Sequence, residues 1–383
     1  MAGAKEGKTL RVSFFVTIIV CLLFCCFVQG CGSATSRSSE SRTNPGAVPR
    51  LEDTYQDPEW EVSLKAKISE GSRYSIQCVT ASSCWLWTSR SIFTYRPDGQ
   101  LKKLDLEITE GELLMDLFLL SEEVGWVVTS EGLYRTNGGN RWERIPVPQM
   151  DEGKGRIRAV YFRDDHTGWI AGGKYQEPLK HESLPNNALS DDRKRVLTGC
   201  VLMTSDGGVN WREMAVERAV GRFDRIMFAG SFGVVLGDAG MQTIANGEDR
   251  WTESLSEFRN KDTQESPAAL SGFVLDDRRG WASLSGGKLI RTNDGGKSWT
   301  AIYPEVSSGD LVLSDLEFVD DARGLALTRE LGSSKLYKTN DGGKSWSQIF
   351  SQSSFSSLQK VAGAAQIIAV GDGVYAFSPK AGN

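Results

Sequence analysis

One turn recurs along this chain of 383 residues, and it narrows the fold more than any other feature. Thr204-Ser205-Asp206-Gly207-Gly208-Val209-Asn210-Trp211 returns as Thr292-Asn293-Asp294-Gly295-Gly296-Lys297-Ser298-Trp299. It returns again as Thr339-Asn340-Asp341-Gly342-Gly343-Lys344-Ser345-Trp346. A shortened copy, Thr136-Asn137-Gly138-Gly139-Asn140-Arg141-Trp142, precedes them. An aspartate folds its carboxylate onto the backbone N–H groups of its own turn, and threonine does so more weakly. Glycine supplies positive φ without a steric penalty. Tryptophan then opens the next strand with a large apolar surface to bury. Such a turn joins two strands of a hairpin. Its return at a period of roughly 40 to 50 residues implies stacked supersecondary units, a propeller or a solenoid.

Each unit follows one plan. An apolar strand leads through an acidic turn to a second strand that often begins Gly-Trp, as in Gly125-Trp126, Gly168-Trp169 and Gly280-Trp281. A short glycine-rich hairpin follows, then a third strand, the repeated turn, and a fourth strand beginning at tryptophan. Four strands per unit is the pattern of a propeller blade. The units fall near 74–107, 113–147, 156–216, 223–256, 268–304 and 311–350, with a seventh at about 358–378 that holds three strands. Trp60-Glu61-Val62-Ser63-Leu64 reads as its missing fourth strand. Pairing the two ends of the chain removes both open sheet edges, which an open six-unit solenoid leaves bare. The expectation is an all-β, seven-bladed β-propeller of four-stranded blades over 58–379, closed by an N-terminal strand.

The first thirty residues read as a leader, with Lys5, Lys8 and Arg11 ahead of an apolar run from Val12 to Val28. Val28-Gln29-Gly30-Cys31 resembles a bacterial lipobox, which implies a signal peptide over 1–30 and lipidation of Cys31. The competing reading is an uncleaved anchor helix. Both export the domain and leave the basic end inside. Residues 31–57 read as a flexible tether, rich in Ser, Thr, Gly and Pro from Gly32 to Pro49. Removal of the leader leaves 41 basic against 48 acidic residues, a net charge of −7, which argues against nucleic acid as a general partner. Four cysteines remain. Cys78 and Cys84 flank Val-Thr-Ala-Ser-Ser and suit a disulfide across a turn, with two buried thiols as the alternative; Cys200 is expected in a strand core. His166 and His181 are the only histidines and no Cys/His cluster exists, so no metal site and no cofactor are expected.

The Thr-x-Asp-x-Gly-x-x-Trp turns resemble BNR/Asp-box repeats. With the Gly-Trp second strands and the seven-blade length, the chain resembles the photosystem II stability/assembly factor family of propellers. The resemblance runs from about residue 58 to 379. It implies a non-catalytic, membrane-tethered, monomeric scaffold that binds a membrane-protein complex or its precursor. The turn residues Thr136, Trp142, Thr204, Asp206, Gly208, Trp211, Thr292, Asp294, Gly296, Trp299, Thr339, Asp341, Gly343 and Trp346 are expected to be structural.

A partner surface is expected on the face opposite these turns. There an insertion from Gly173 to Thr198 interrupts the third unit, and loops of that length are often functional. Arg156 and Arg158 open the inner strand of blade three, and Arg222 and Arg225 that of blade four. With Arg193, Lys194 and Arg195 they suggest one basic patch, since arginine suits bidentate pairing with carboxylates. The competing reading pairs them with local acids such as Asp164, Asp165 and Asp224. Glu107, Glu110, Glu112, Glu305 and Asp310 make the matching positions of blades two and six acidic. Reversing Arg156 and Arg222 to Glu is expected to weaken partner capture without lowering the melting temperature.

The alternative function is an exported glycosidase, sialidase-like or xyloglucan-cleaving, or a glycan-binding propeller using aromatics such as Tyr175. Arg144-Ile145-Pro146 matches a sialidase string but follows Trp142 on an expected outer strand, away from the axis. Asp116 and Asp315 on inner strands are the candidate carboxylates. Xyloglucan enzymes use two such propellers, and this chain has one.

Overall fold

The computed structural model describes residues 57–380 apart from 69–72, 81, 96–100, 105, 107–110, 139–140, 177–195, 218, 246–247, 303–311, 331–332 and 354. The expected leader, Cys31, the expected tether before Asp57, and Arg193, Lys194 and Arg195 lie outside these residues.

The chain forms a seven-bladed β-propeller. Blade one holds Ser75–Thr80, Ser83–Trp87, Ile92–Tyr95 and Leu101–Leu104. Blade two holds Leu114–Leu119, Val124–Thr129, Leu133–Asn137 and Trp142–Ile145. Blade three holds Gly155–Phe162, Gly168–Gln176, Val196–Thr204 and Arg212–Glu213. Blade four holds Arg225–Ala229, Phe232–Gly237, Gly240–Ile244 and Arg250–Glu253. Blade five holds Ala269–Val274, Gly280–Leu284, Lys288–Thr292 and Thr300–Ile302. Blade six holds Leu313–Phe318, Gly324–Glu330, Ser333–Thr339 and Ser347–Ser353. Blade seven takes Ser357–Lys360, Ile367–Val370 and Gly373–Pro379 from the end of the chain and Trp60–Lys67 from its beginning. That N-terminal strand pairs antiparallel from Trp60↔Pro379 to Lys67↔Gly373, so the expected closure is what forms.

The repeated turn works through a buried threonine. Thr204 Oγ1 accepts from Gly208 N at 2.9 Å and donates to Asp206 Oδ1 at 2.8 Å, and Asp206 Oδ1 also accepts from Asn210 N at 2.9 Å. Thr292 and Thr339 repeat the pattern with Gly296 N at 3.0 Å and Gly343 N at 2.9 Å. The two glycines of each turn take φ between 72° and 98°. The tryptophans are accounted for by packing between blades. Trp126 stacks on Phe162 of the next blade at 3.6 Å between centroids, and Trp281 on Phe318 at 4.0 Å. Trp211 and Trp346 meet the same two phenylalanines edge-on. The glycine of Gly-Trp makes room for this: a Cβ at Gly168 would lie 2.4 Å from the Phe162 ring. Burying a ring of this size contributes about 1.5–3 kcal/mol.

Two details depart from the expected plan. The insertion of blade three is partly strand, because Gly168–Gln176 and Val196–Thr204 pair through to Gln176↔Val196. Its polar residues read as a loop, yet a hairpin projecting into water needs no apolar face. Lys174 is fixed there by Glu213 at 2.6 Å. Second, blade three spends only Arg212–Glu213 on its outer strand, and the next residues, Ala215–Val216, join blade four as a fifth, parallel strand.

Candidate functional site: the central channel and its loop-face mouth

Successive strands of a meander reverse direction, so alternate connections emerge on opposite faces. The repeated turns and the turns after the inner strands share one face. The starts of the inner strands and the blade-three hairpin share the other, called here the loop face. The seven inner strands enclose a channel of about 630 Å³.

An inner strand is the edge of its sheet, and its axis-facing N–H groups need partners. Neighbouring blades supply them. Gln77 Oε1 accepts from Leu119 N at 2.6 Å, Asp116 Oδ2 from Val160 N at 3.0 Å, Asp315 Oδ2 from Leu358 N at 2.9 Å and Glu317 Oε2 from Lys360 N at 3.1 Å. The candidate carboxylates of the channel are therefore stitches between blades first. In blades two, three, five and six the register also slips near the start of the inner strand, leaving Met115, Arg158, Leu270 and Ser314 as extra residues. Bulges of this kind re-aim side chains.

The structure brings Arg158, Arg222 and Arg225 together on one side of the loop-face mouth, and each is already paired. Asp224 Oδ1 accepts from Arg158 Nε at 3.1 Å and from Arg222 Nε at 2.8 Å. Arg222 also meets Asp238 at 3.3 Å, and Arg225 reaches Asp315 of blade six at 3.2 Å. Asp315 is only 4% exposed and takes further bonds from Ser271 Oγ and Ser357 Oγ, each at 3.4 Å, so it ties blades four to seven together. Of the acids weighed as local partners, Asp224 fills that role. Asp164 instead caps its own turn on the opposite face, accepting from His166 N at 2.9 Å and Thr167 N at 2.6 Å. Arg156 is exposed. Reversing Arg222 would set a third carboxylate beside Asp224 and Asp238, so the expectation of an unchanged melting temperature holds for Arg156 alone.

The remaining sequence candidates are placed as follows. Glu112 is buried and accepts from Thr129 Oγ1 and, at 3.4 Å, from Tyr134 OH, which makes it a structural group and not a rim charge. Glu107, Glu110, Glu305 and Asp310 lie outside the described residues. Arg144 is on the outer strand of blade two, held by Asp151 at 3.1 Å. Cys78 and Cys84 are direct cross-strand partners with sulfurs 2.00 Å apart, and Cys200 is buried beside Met150, where burial pushes its thiol up to about 12. Burial also pushes Asp116 up to about 7, against the bonds from Val160 and Leu117 N–H and the charges of Arg225 and Arg158. It holds Glu317 well above the ordinary glutamate range, with Asp315 adding to the effect. Glu317 escaped notice in the sequence because its neighbour Asp315 supplied the obvious carboxylate. Its position opposite the second residue of the second strand was the signal that marks it.

No protein-family model matches the chain, and no curated protein matches it. Solved structures match it in fold. YCF48 bound to D1 peptide is 18% identical with a TM-score of 0.59, over 89% of this chain and 100% of that one. YCF48 from Cyanidioschyzon merolae is 16% identical with a TM-score of 0.57, over 84% and 98%. A catalytically inactive virginiamycin B lyase from Staphylococcus aureus, with quinupristin, is 12% identical with a TM-score of 0.59, over 84% and 99%. An ancestral GH74 enzyme is 11% identical with a TM-score of 0.57, over 84% of this chain and 46% of that one. Likeness at these identities is likeness of fold.

Proposed function

We propose that the chain is a non-catalytic, membrane-tethered scaffold whose loop face holds a segment of a protein partner. The observation that carries this reading is the gathering of Arg156, Arg158, Arg222 and Arg225 on adjoining blades beside the long hairpin of blade three. Asp224 serves two guanidinium groups at once and Arg222 has Asp238 besides, so a partner carboxylate can add to Arg158 without an acid having to leave. The shared fold with YCF48, solved with a D1 peptide, supports a peptide-holding role. The finer reading follows the resemblance seen in the sequence: the client is a membrane complex or its precursor, of the kind photosystem II assembly factors serve. Cys31 carries the lipid anchor, and the propeller works on the extracytoplasmic side of the membrane.

Crosslinked capture from native membranes with a C-terminally tagged chain tests this. The wild type is expected to recover one membrane complex or its precursor subunit. Arg156→Glu is expected to reduce that recovery at least several-fold at an unchanged melting temperature. Recovery unaffected by Arg156→Glu, together with Arg158→Gln, overturns the arginine site.

A second reading, a glycoside hydrolase, has one observation in its favour: a channel carboxyl, Asp116, pushed up to about 7, in the range of a general acid. Turnover of a xyloglucan or sialoside substrate that disappears in Asp116→Asn would establish it over the scaffold.

A further inference from the structure

One level of the channel carries a side chain from every blade. The inner-strand residues opposite Trp85, Trp126, Trp169, Gly233, Trp281, Leu325 and Ile368 of the second strands are Gln77, Phe118, Tyr161, Phe228, Phe273, Glu317 and Gln359. All seven line the channel. They divide it in two. Blades two to five give four consecutive aromatic rings, each only partly buried. Phe118 and Tyr161 lie 4.9 Å apart, and Tyr161 and Phe228 5.0 Å. Blades six, seven and one give Glu317, Gln359 and Gln77. Each of these is held by one bond to backbone: Glu317 Oε2 and Gln77 Oε1 as acceptors, Gln359 Nε2 as donor to Lys360 O at 3.0 Å.

The charges in this wall do not balance locally. Glu317 is 9% exposed and forms no ion pair within 4.0 Å among the described residues, and neither does Asp116, two residues before Phe118. Arg225 is paired with Asp315 and Arg158 with Asp224, while Lys360 bonds Val361 O at 3.4 Å and acts on Glu317 only from a distance. Burial holds Asp116 and Glu317 above the ordinary carboxyl range, and the cations around them do not offset it. The aromatic half also accepts a cation already. The guanidinium of Arg163, at the far end of the channel, lies 5.0 Å from the Trp169 ring centre and 5.9 Å from that of Phe228.

The geometry points to a binding site for a small organic cation of the alkylammonium class, held against Phe118, Tyr161, Phe228 and Phe273 with Glu317 opposite. Aromatic rings alone take any apolar group; the ring quadrupole favours a cation, and a buried carboxylate across the site makes the charge a requirement. The same chemistry is offered by a free ammonium compound and by a lipid headgroup. The site shares its channel with Arg225 but lies further along the inner strands, at the level of Phe228, and its occupancy does not depend on a protein partner.

The test is calorimetric titration of the full chain, in a non-ionic detergent, with choline and with its neutral isostere 3,3-dimethylbutan-1-ol. Choline is expected to bind and the isostere to bind about tenfold more weakly or not at all. Glu317→Gln keeps the acceptor for Lys360 N and is expected to weaken choline about tenfold while leaving the isostere unchanged. Phe273→Leu is expected to weaken both. Co-sedimentation with phosphatidylcholine but not phosphatidylglycerol vesicles, abolished by excess choline, assigns the headgroup as the source; choline binding without it assigns a free ligand. Equal affinity for choline and the isostere in the wild type overturns the proposal whatever the variants do, as does an absence of choline binding.

Discussion

The repeated turn divides its work between two side chains that a sequence ranks the other way round. Aspartate is the conspicuous residue, yet its carboxylate works near water: Asp294 accepts from Ser298 N at 3.0 Å and from Ser298 Oγ at 2.5 Å, both exposed bonds. Thr292 is 1% exposed, and its Oγ1 accepts from Gly296 N in the interior. Thr292→Val keeps the shape and strands that N–H, which costs about 1–3 kcal/mol. Asp294→Ala exposes its partners to water and should cost less, under about 1 kcal/mol. Urea unfolding of the two variants checks the order, and a larger loss in Asp294→Ala would contradict it. The identity of the turn was legible because its hydrogen bonds span at most four residues. Its burial was not, since that depends on the adjoining blade, as where Trp281 Nε1 donates to Gly342 O at 3.0 Å.

At the level of strands, closure depends on Trp60–Lys67 and on what fixes its start. Trp60 was legible as a post-turn tryptophan at the wrong end of the chain, and it is buried as such. The cluster that fastens it was not legible, because its members are far apart in sequence. Lys338 Nζ on blade six donates to Asp57 Oδ2 and to Glu59 Oε2, each at 2.7 Å, while Asp57 Oδ1 accepts from Trp60 N at 3.0 Å. The Asp57 side chain is 1% exposed and that of Glu59 48%, so the first pair carries the weight and the second is screened by water. Lys338→Met removes the charge facing a buried carboxylate and is expected to lose about 3 kcal/mol. Hydrogen exchange should show the loss first in Trp60–Lys67 and Gly373–Pro379; uniform loss across all seven blades would mean that closure is not the weak point. The blade-three hairpin was misjudged for the opposite reason. Only Lys174-Tyr175-Gln176 and Val196-Leu197-Thr198 extend its strands among the described residues, too few to show an alternation that reveals a strand.

For the whole molecule, pH acts on two sets of carboxyls in opposite senses. Asp276 and Asp320 sit below the ordinary aspartate range: burial raises them, but bonds from Arg279, from Arg323 and from backbone N–H groups outweigh it. Their contribution is complete above about pH 4 and is lost as pH falls through their lowered values. Asp116 lies the other way. With its folded value near 7, it favours the folded state most at low pH, and that contribution is lost as pH rises from about 4 to about 7. The melting temperature should therefore peak at about pH 4 and decline toward neutrality. Asp116→Asn should reduce the decline, Glu317 supplying the remainder, while leaving the acid limb in place, and a scan by differential fluorimetry that shows the slope unchanged in the variant would sink the assignment. The sequence by itself determined the blade count, the strand order and the ring closure. These follow from short turn motifs and alternating apolar residues, whose hydrogen bonds and periods are local. Only the tertiary structure decided which charges are paired and which side chains share one level of the channel. Arg225 and Asp315 are 90 residues apart, and Phe118, Tyr161, Phe228 and Phe273 come from four different blades. Closing the ring brings such residues together, and no spacing along the chain encodes that juxtaposition.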